Sequence, residues 1–187
     1  MMRKNFAGVS SVLGLMLALP LARPGRATTL ARLSLPQLAA SSKLVVRARC
    51  LGRNSRWQQG EIWTFTRFTA LEFLKGSGPA VFTVRTLGGR VNGIVSVVDG
   101  IPVFEPGEEA ILFLTPTARG DYGLVGWSQG SFRIARGADG VERVTQDAAA
   151  VPVYDPARRR FVLAGVARMP LEQFRVLLRA ALQGPAQ

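Results

Sequence analysis

Between residues 44 and 164 the chain never runs far without a turn signal, and the runs between those signals are rich in β-branched and aromatic residues. Such runs fall at Leu44–Leu51, Ile62–Leu74, Val81–Leu87, Ile94–Val98, Ala110–Leu114, Tyr122–Trp127 and Phe132–Ala135, with weaker ones at Val141–Val144, Val151–Tyr154 and Phe161–Ala164. "NSRWQQGE", "GSGP", "GGRVNG", "VDG", "EPGEE", "ARGD" and "GADG" punctuate them. Short strands at this spacing mean an all-β barrel or sandwich. With 48% hydrophobic and 19% charged residues in 187, one globular domain is expected, over residues 28–187.

Helical signals stand only at the two ends of that stretch. In "LSLPQLAASS", Ser34 is placed to cap a short helix with Gln37 three residues on and a proline in the first turn, and the helix ends by Ser42. At the other end, Leu171, Phe174, Leu178 and Leu182 form one apolar stripe over about 170–182, with Pro170 at the start and Glu172, Arg175 and Arg179 outside. That helix is expected to pack on the barrel.

The start of the chain has the outline of a secretory signal peptide. A basic opening (Arg3, Lys4) precedes an apolar run, Ala7–Ala22, and a small-residue end at Ala27. The apolar run spans 16 residues and is broken by Pro20, short of the roughly 20 that a spanning helix needs. Cleavage after Ala27 is the expectation, with an exported protein, periplasmic or extracellular, and no membrane span in what remains. Residues 1–27 hold four basic groups and no acidic one, leaving 20 Lys+Arg against 12 Asp+Glu, a net charge of +8. That field favours acidic partners.

The single cysteine, Cys50, excludes an internal disulfide. In "KLVVRARC" the alternation puts Leu44, Val46, Ala48 and Cys50 on one face and Arg47 and Arg49 on the other, so a buried, inert thiol is expected. The stretch "WTFTRFTALEFLKG" poses a sharper choice. Trp63, Phe65, Leu71 and Phe73 share one parity, Phe68 and Leu74 the other, which predicts a β-bulge between Phe65 and Leu71. Only Arg67 and Lys75 interrupt the run with positive charge, so the rings are read as barrel lining rather than as a stacking platform for bases.

The segments "ASSKLVVRARCLGRNSRW", "EIWTFTRFTALEFLKGSGPAVFTVRTLGG" and "EPGEEAILFL" resemble the netrin-like modules, among them the inhibitory domain of the tissue inhibitors of metalloproteinases. The resemblance covers about residues 40–115 and rests on strand order and on the ending Phe73-Leu74-Lys75-Gly76. It implies an OB-like five-stranded barrel, here with extra hairpin strands and the two helices, and makes an extracellular metalloprotease a conceivable partner. The family's N-terminal Cys-x-Cys, whose first residue chelates the protease zinc, has no counterpart, so no inhibitory residue carries over. Fold alone does not supply a function.

Catalytic readings find little material. Gly126-Trp127-Ser128-Gln129-Gly130 spells G-x-S-x-G, but the chain has no histidine to take the serine proton, and a hairpin rather than a helix is expected to follow. Without histidine and with one cysteine, zinc sites of the usual N/S type are excluded, and Glu105, Glu108 and Glu109 read as a solvated turn. "LGGRVNG" lacks the Lys-Ser/Thr pair of a phosphate-binding P-loop and reads as a flexible hairpin loop. No metal, cofactor or catalytic residue is assigned.

The candidate contacts are Arg53 and Arg56 beside Trp57 in a first long loop, Arg90 in the glycine-rich loop, and Arg158-Arg159-Arg160 in a hairpin turn after Asp155-Pro156. The resulting expectation is an exported, non-enzymatic binding module for a protein or an anionic polymer. The alternative is a nucleic-acid-binding OB-fold protein, which the charge favours and the export signal opposes. A hydrolase stands last.

Overall fold

Ser34 opens the first element. In the computed structural model, which describes residues 30–163 and 165–184, helix α1 (Leu35–Ser41) begins with a full capping box. The Ser34 hydroxyl accepts from the Gln37 amide, and the Gln37 side chain accepts from the Ser34 amide at 2.8 Å. The leader at residues 1–27 lies outside the described residues.

Twelve strands follow. They are β1 (Leu44–Gln58), β2 (Glu61–Lys75), β3 (Val81–Leu87), β4 (Gly89–Val91), β5 (Ile94–Ser96), β6 (Glu109–Pro116), β7 (Tyr122–Leu124), β8 (Ser131–Arg136), β9 (Glu142–Gln146), β10 (Val153–Asp155), β11 (Arg160–Val162) and β12 (Met169–Pro170). Helix α2 (Leu171–Gln183) ends the described chain. No helix among the described residues is long and apolar enough to cross a membrane.

The order of pairing makes the OB-like barrel. β1 pairs with β2, β2 with β3, β3 with β7, β7 with β6, and β6 returns to β1. All these pairings are antiparallel except β3 with β7, which is parallel and consists of the single pair Val84 and Tyr122. The barrel is therefore not strictly closed: its seam opens beyond that pair. β8, β9 and β12 extend the sheet outward from β6, while β4–β5 and β10–β11 are separate hairpins. Residues 136–165 thus add strands beside the barrel rather than completing it.

Three extra residues bend the long first hairpin. Leu51 in β1 and Leu71 and Leu74 in β2 have no partner opposite, so the register shifts at each. The bulge at Leu71 falls where the change of hydrophobic parity predicts one. Bulges increase local coiling, which is how two fifteen-residue strands can wrap a small barrel.

Strands β1 and β6 have apolar residues on both faces and so separate two cores. Inside the barrel lie Leu44, Val46, Ala48 and Cys50 with Phe68, Phe82, Phe104 and Leu112. Outside it, Val45, Ile111 and Phe113 meet Phe132, Phe174 and Leu178, which seats α2 on the sheet. Each fully buried Phe or Leu contributes about 1.5–3 kcal/mol. Burial also pushes the Cys50 thiol up from its ordinary value, in keeping with an unreactive side chain. Arg175 departs from the expected outer face of α2: it is partly buried and grips Glu72 through two hydrogen bonds, of 3.0 and 2.6 Å.

The reading of the rings as barrel lining holds in full for Phe68 and in part for Phe73, which stands opposite Val46 at the end of the barrel. Phe68 is fully buried against Phe82 and Phe104, but Trp63 and Phe65 face outward and Phe73 is 39% exposed. The inward parity of β2 belongs to Ile62, Thr64, Thr66 and Phe68. Its hydroxyls are tolerated near the barrel mouth because Thr64 Oγ1 bonds the Ser55 hydroxyl at 2.8 Å and donates to the Gly88 carbonyl at 2.7 Å.

Two further expectations change. The strand expected over Tyr122–Trp127 stops at Leu124, because Gly126 and Trp127 take positive φ, 63° and 56°, and enter a 3-10 turn, Trp127–Gly130. The supposed first long loop does not exist. β1 continues to Gln58, and the connection to β2 is Gln59-Gly60 alone, with φ of 54° and 81° as a tight primed hairpin turn demands.

Candidate functional site

Because β1 runs straight into β2 through a two-residue turn, its last residues sit in register on the outer sheet face. Arg56 pairs with Trp63, and Asn54 with Phe65. On the far side β3 places Arg85 beside Phe65 and Leu87 beside Trp63. Side chains on neighbouring rungs then meet diagonally. The Arg56 guanidinium lies 4.0 Å from the Phe65 ring centre, and that of Arg85 lies 3.9 Å from the Trp63 ring centre. Each ring is thus covered by a cation, worth about 0.5–2 kcal/mol per contact.

A shallow depression of about 730 Å³ runs along this face, lined by Asn54, Arg56, Phe65, Arg67, Arg119 and Tyr122 among others. The β6–β7 loop brings in Arg119, whose guanidinium donates to the side-chain oxygen of Gln59 at 3.1 Å. One acidic residue, Asp121, lines the same depression and is engaged by the Thr117 hydroxyl. None of Arg56, Arg67 and Arg119 forms an ion pair among the described residues. Several arginines elsewhere are paired: Arg47 and Arg49 share Glu109, and Arg133 bridges Glu108 and Asp147. Burial alone would raise the Glu109 carboxyl, but hydrogen bonds from Arg49 and Arg47 outweigh it and hold the group below the carboxylate range.

The residues singled out from sequence are not brought together as one patch. Arg56 belongs to the depression just described. Trp57 is exposed near the end of β1, and Arg53, four residues earlier on the strand, is engaged, donating to the Phe104 carbonyl at 2.8 Å and pairing with Glu105 at 2.7 Å. Being strand residues rather than loop residues, Arg53 and Trp57 fall on one face of β1 and Arg56 on the other. Arg53 and Arg90 line a different cavity, about 500 Å³, between the barrel mouth and the β4–β5 hairpin. That hairpin turns at Asn92-Gly93, with φ of 48° and 82°, and Gly89 packs so tightly on Thr64 and Ser55 that a side chain there would collide with both. "LGGRVNG" thus forms a hairpin, as expected, with β4 and β5 paired across Asn92-Gly93.

Arg158, Arg159 and Arg160 cluster on the β10–β11 hairpin, as expected. Asp155 organises that turn by accepting from the Ala157 and Arg158 amides at 3.0 and 3.1 Å. These bonds, the Arg158 amide foremost, draw its carboxyl below the ordinary range against the effect of burial. The serine of the G-x-S-x-G string is 2% exposed, lies in the short 3-10 turn, and is followed by β8 rather than by an α-helix. No group of three His, Cys, Asp or Glu residues converges among the described residues.

Arg67, Arg119 and the outward Phe65 were missed as lining of this depression. For Phe65 and Arg67 the signal is Gln59-Gly60: taken as a two-residue turn, it aligns Arg56 with Trp63 and makes every second residue of β2 outward, whereas Arg119 comes from the β6–β7 loop, beyond its reach. Against family models, curated proteins and solved structures, the chain matches none.

Proposed function

We propose that this protein is a non-enzymatic binding module, working outside the cytoplasm, that lays an anionic polymer along the outer face of its first hairpin. The observation that carries the reading is the set Arg56, Arg67 and Arg119 around Phe65, three guanidinium groups without carboxylate partners among the described residues, beside one depression. Unpaired arginines at a surface keep the donors of their planar fork for bidentate contact with an anion such as a sulfate, phosphate or carboxylate. The depression is open to solvent, which suits a chain laid across it better than an enclosed compact ligand. Stacking of nucleic-acid bases is disfavoured because the Arg56 guanidinium already covers Phe65 at 4.0 Å. The export expectation rests on the leader, and the non-enzymatic reading on the lack of histidine and on the burial of Ser128.

The test is retention of the full chain on immobilised heparin under a salt gradient. Replacing Arg56, Arg67 and Arg119 together by Gln should move elution to clearly lower salt, while Arg158, Arg159 and Arg160 to Gln should move it less. Equal elution of the two triple variants would overturn the assignment of this face.

A second reading has one observation in its favour. Ile94, Val95 and Val97 on and beside the β4–β5 hairpin are 54%, 50% and 81% exposed, an apolar tip that a protein partner could cover. Binding that persists at high salt and is lost on replacing Val95 and Val97 by Ser would favour that reading.

A further inference from the structure

Trp127 carries a bulky side chain in the left-handed backbone region, φ 56°, directly after Gly126 at φ 63°. A large residue there is an outlier that surrounding structure must enforce. Here it is enforced from several sides. The Ser128 amide donates to the Gly100 carbonyl at 3.0 Å, and the Gln146 side chain donates to the Gln129 carbonyl at 2.6 Å. The Gln129 side chain accepts from the Leu33 amide at 2.7 Å and donates to the Ala31 carbonyl at 2.9 Å. Gly130 cannot carry a side chain without striking the Val125 carbonyl.

The turn so held aims the indole at the open seam of the barrel. Past the lone pair of Val84 and Tyr122, β3 and the chain after β7 part, and a cavity of about 360 Å³ lies between them. Trp63, Trp127, Leu87, Ile101 and Leu124 make it mainly apolar, and Arg85 is the charged residue lining it. That guanidinium rests on Trp63 at 3.9 Å, reaches the Gln58 side chain only at 3.5 Å, and has no carboxylate partner among the described residues. The volume falls near the lower end of the range for small-molecule sites, about 300–1,000 Å³, so it suits one ring and a short chain rather than a polymer.

We propose that this seam cavity binds a carboxylate borne on an aromatic group, the ring held by Trp127, Leu87 and Ile101 and the carboxylate paired with Arg85 where that guanidinium lies over Trp63. Such a group has two sources, a free aryl-alkyl acid or the C-terminal residue of a peptide ending in Phe, Tyr or Trp. The site stands apart from the polymer-binding face, which uses Arg56, Arg67 and Arg119.

The test is a titration of the full-length protein followed by the indole N–H signals of its three tryptophans in a proton–nitrogen correlation spectrum. The free-acid arm uses 3-phenylpropionate with its amide as control, and the peptide arm N-acetyl-glycyl-phenylalanine with its amide. Either acid should shift the Trp63 and Trp127 signals and leave Trp57 in place, and the tighter arm identifies the source. Each amide should bind about tenfold or more weakly, as should each acid to Arg85→Gln, because the charged hydrogen bond is lost. Replacing Arg56, Arg67 and Arg119 by Gln should leave the titration unchanged. Equal affinity for acid and amide, no shift of either seam indole, or an equal shift of Trp57 would each overturn the proposal. The acid-to-amide comparison is made on the unaltered protein and so does not depend on any variant folding.

Discussion

The ammonium of Lys75, at the end of β2, donates to the carbonyl of Ala39 in the last turn of α1 at 2.6 Å, and also to that of Ser42 at 2.8 Å. The Lys-Gly pair is thus a structural clasp: the cation satisfies carbonyls that a helix end leaves open and sits at the negative pole of its dipole. Lys75→Met keeps the aliphatic stem and removes the donors. It is expected to destabilise the fold by about 1.5–3 kcal/mol, read from the urea midpoint at constant slope.

The glycine after it is constrained in a different way. Gly76 has φ 71°, and a β-carbon there would stand 2.6 Å from the Lys43 carbonyl, whereas Gly60 has φ 81° with open space around it. Both Gly→Ala changes meet backbone strain of about 1–3 kcal/mol, but only the one at residue 76 adds a collision. Gly76→Ala should lower the thermal midpoint distinctly more than Gly60→Ala does. Equal losses would mean that the contact between β2 and the start of β1 is looser than described.

Parity along β2 is tested by two phenylalanines three residues apart. Phe68 is fully buried in the barrel, so Phe68→Ala should cost about 3–5 kcal/mol. Phe65 lies on the outer face under Arg56, and Phe65→Ala should cost less than about 2 kcal/mol. Denaturant titrations of the two variants give the comparison directly, and the opposite ranking would turn the strand inside out.

Stability should be flat around neutrality and fall only in acid. No histidine is present, and the buried Cys50 thiol is shifted upward, away from that interval. The Arg175 hydrogen bonds, first among several causes, hold the Glu72 carboxyl below its ordinary value despite partial burial. A depressed folded value means that the group's contribution is complete above the ordinary Glu pKa, about 4.3, and is lost as pH falls through the lower folded value. Glu72→Gln should therefore lower stability at pH 7 and narrow the gap to the unaltered protein as pH drops below about 4. A constant gap across that range would show that the Glu72–Arg175 pair is not the cause.

Local chemistry alone determined much of the architecture. The capping residues Ser34 and Gln37, the alternation Leu44–Cys50, the apolar stripe of α2 and the change of parity near Leu71 are each set by neighbours within a few positions, and each is found in place. What the tertiary structure decided is which way the rings and cations of the first hairpin face. Arg56, Trp63, Phe65 and Arg85 come from three strands, and their juxtaposition follows from one two-residue turn and three bulges. An amphipathic ring over which a guanidinium can settle is stable facing outward, and a threonine whose hydroxyl finds a partner is stable facing inward. Hydrophobicity by itself therefore could not rank those two faces; only the closing of the barrel, which brought Ser55 to Thr64 and Arg56 to Phe65, chose between them.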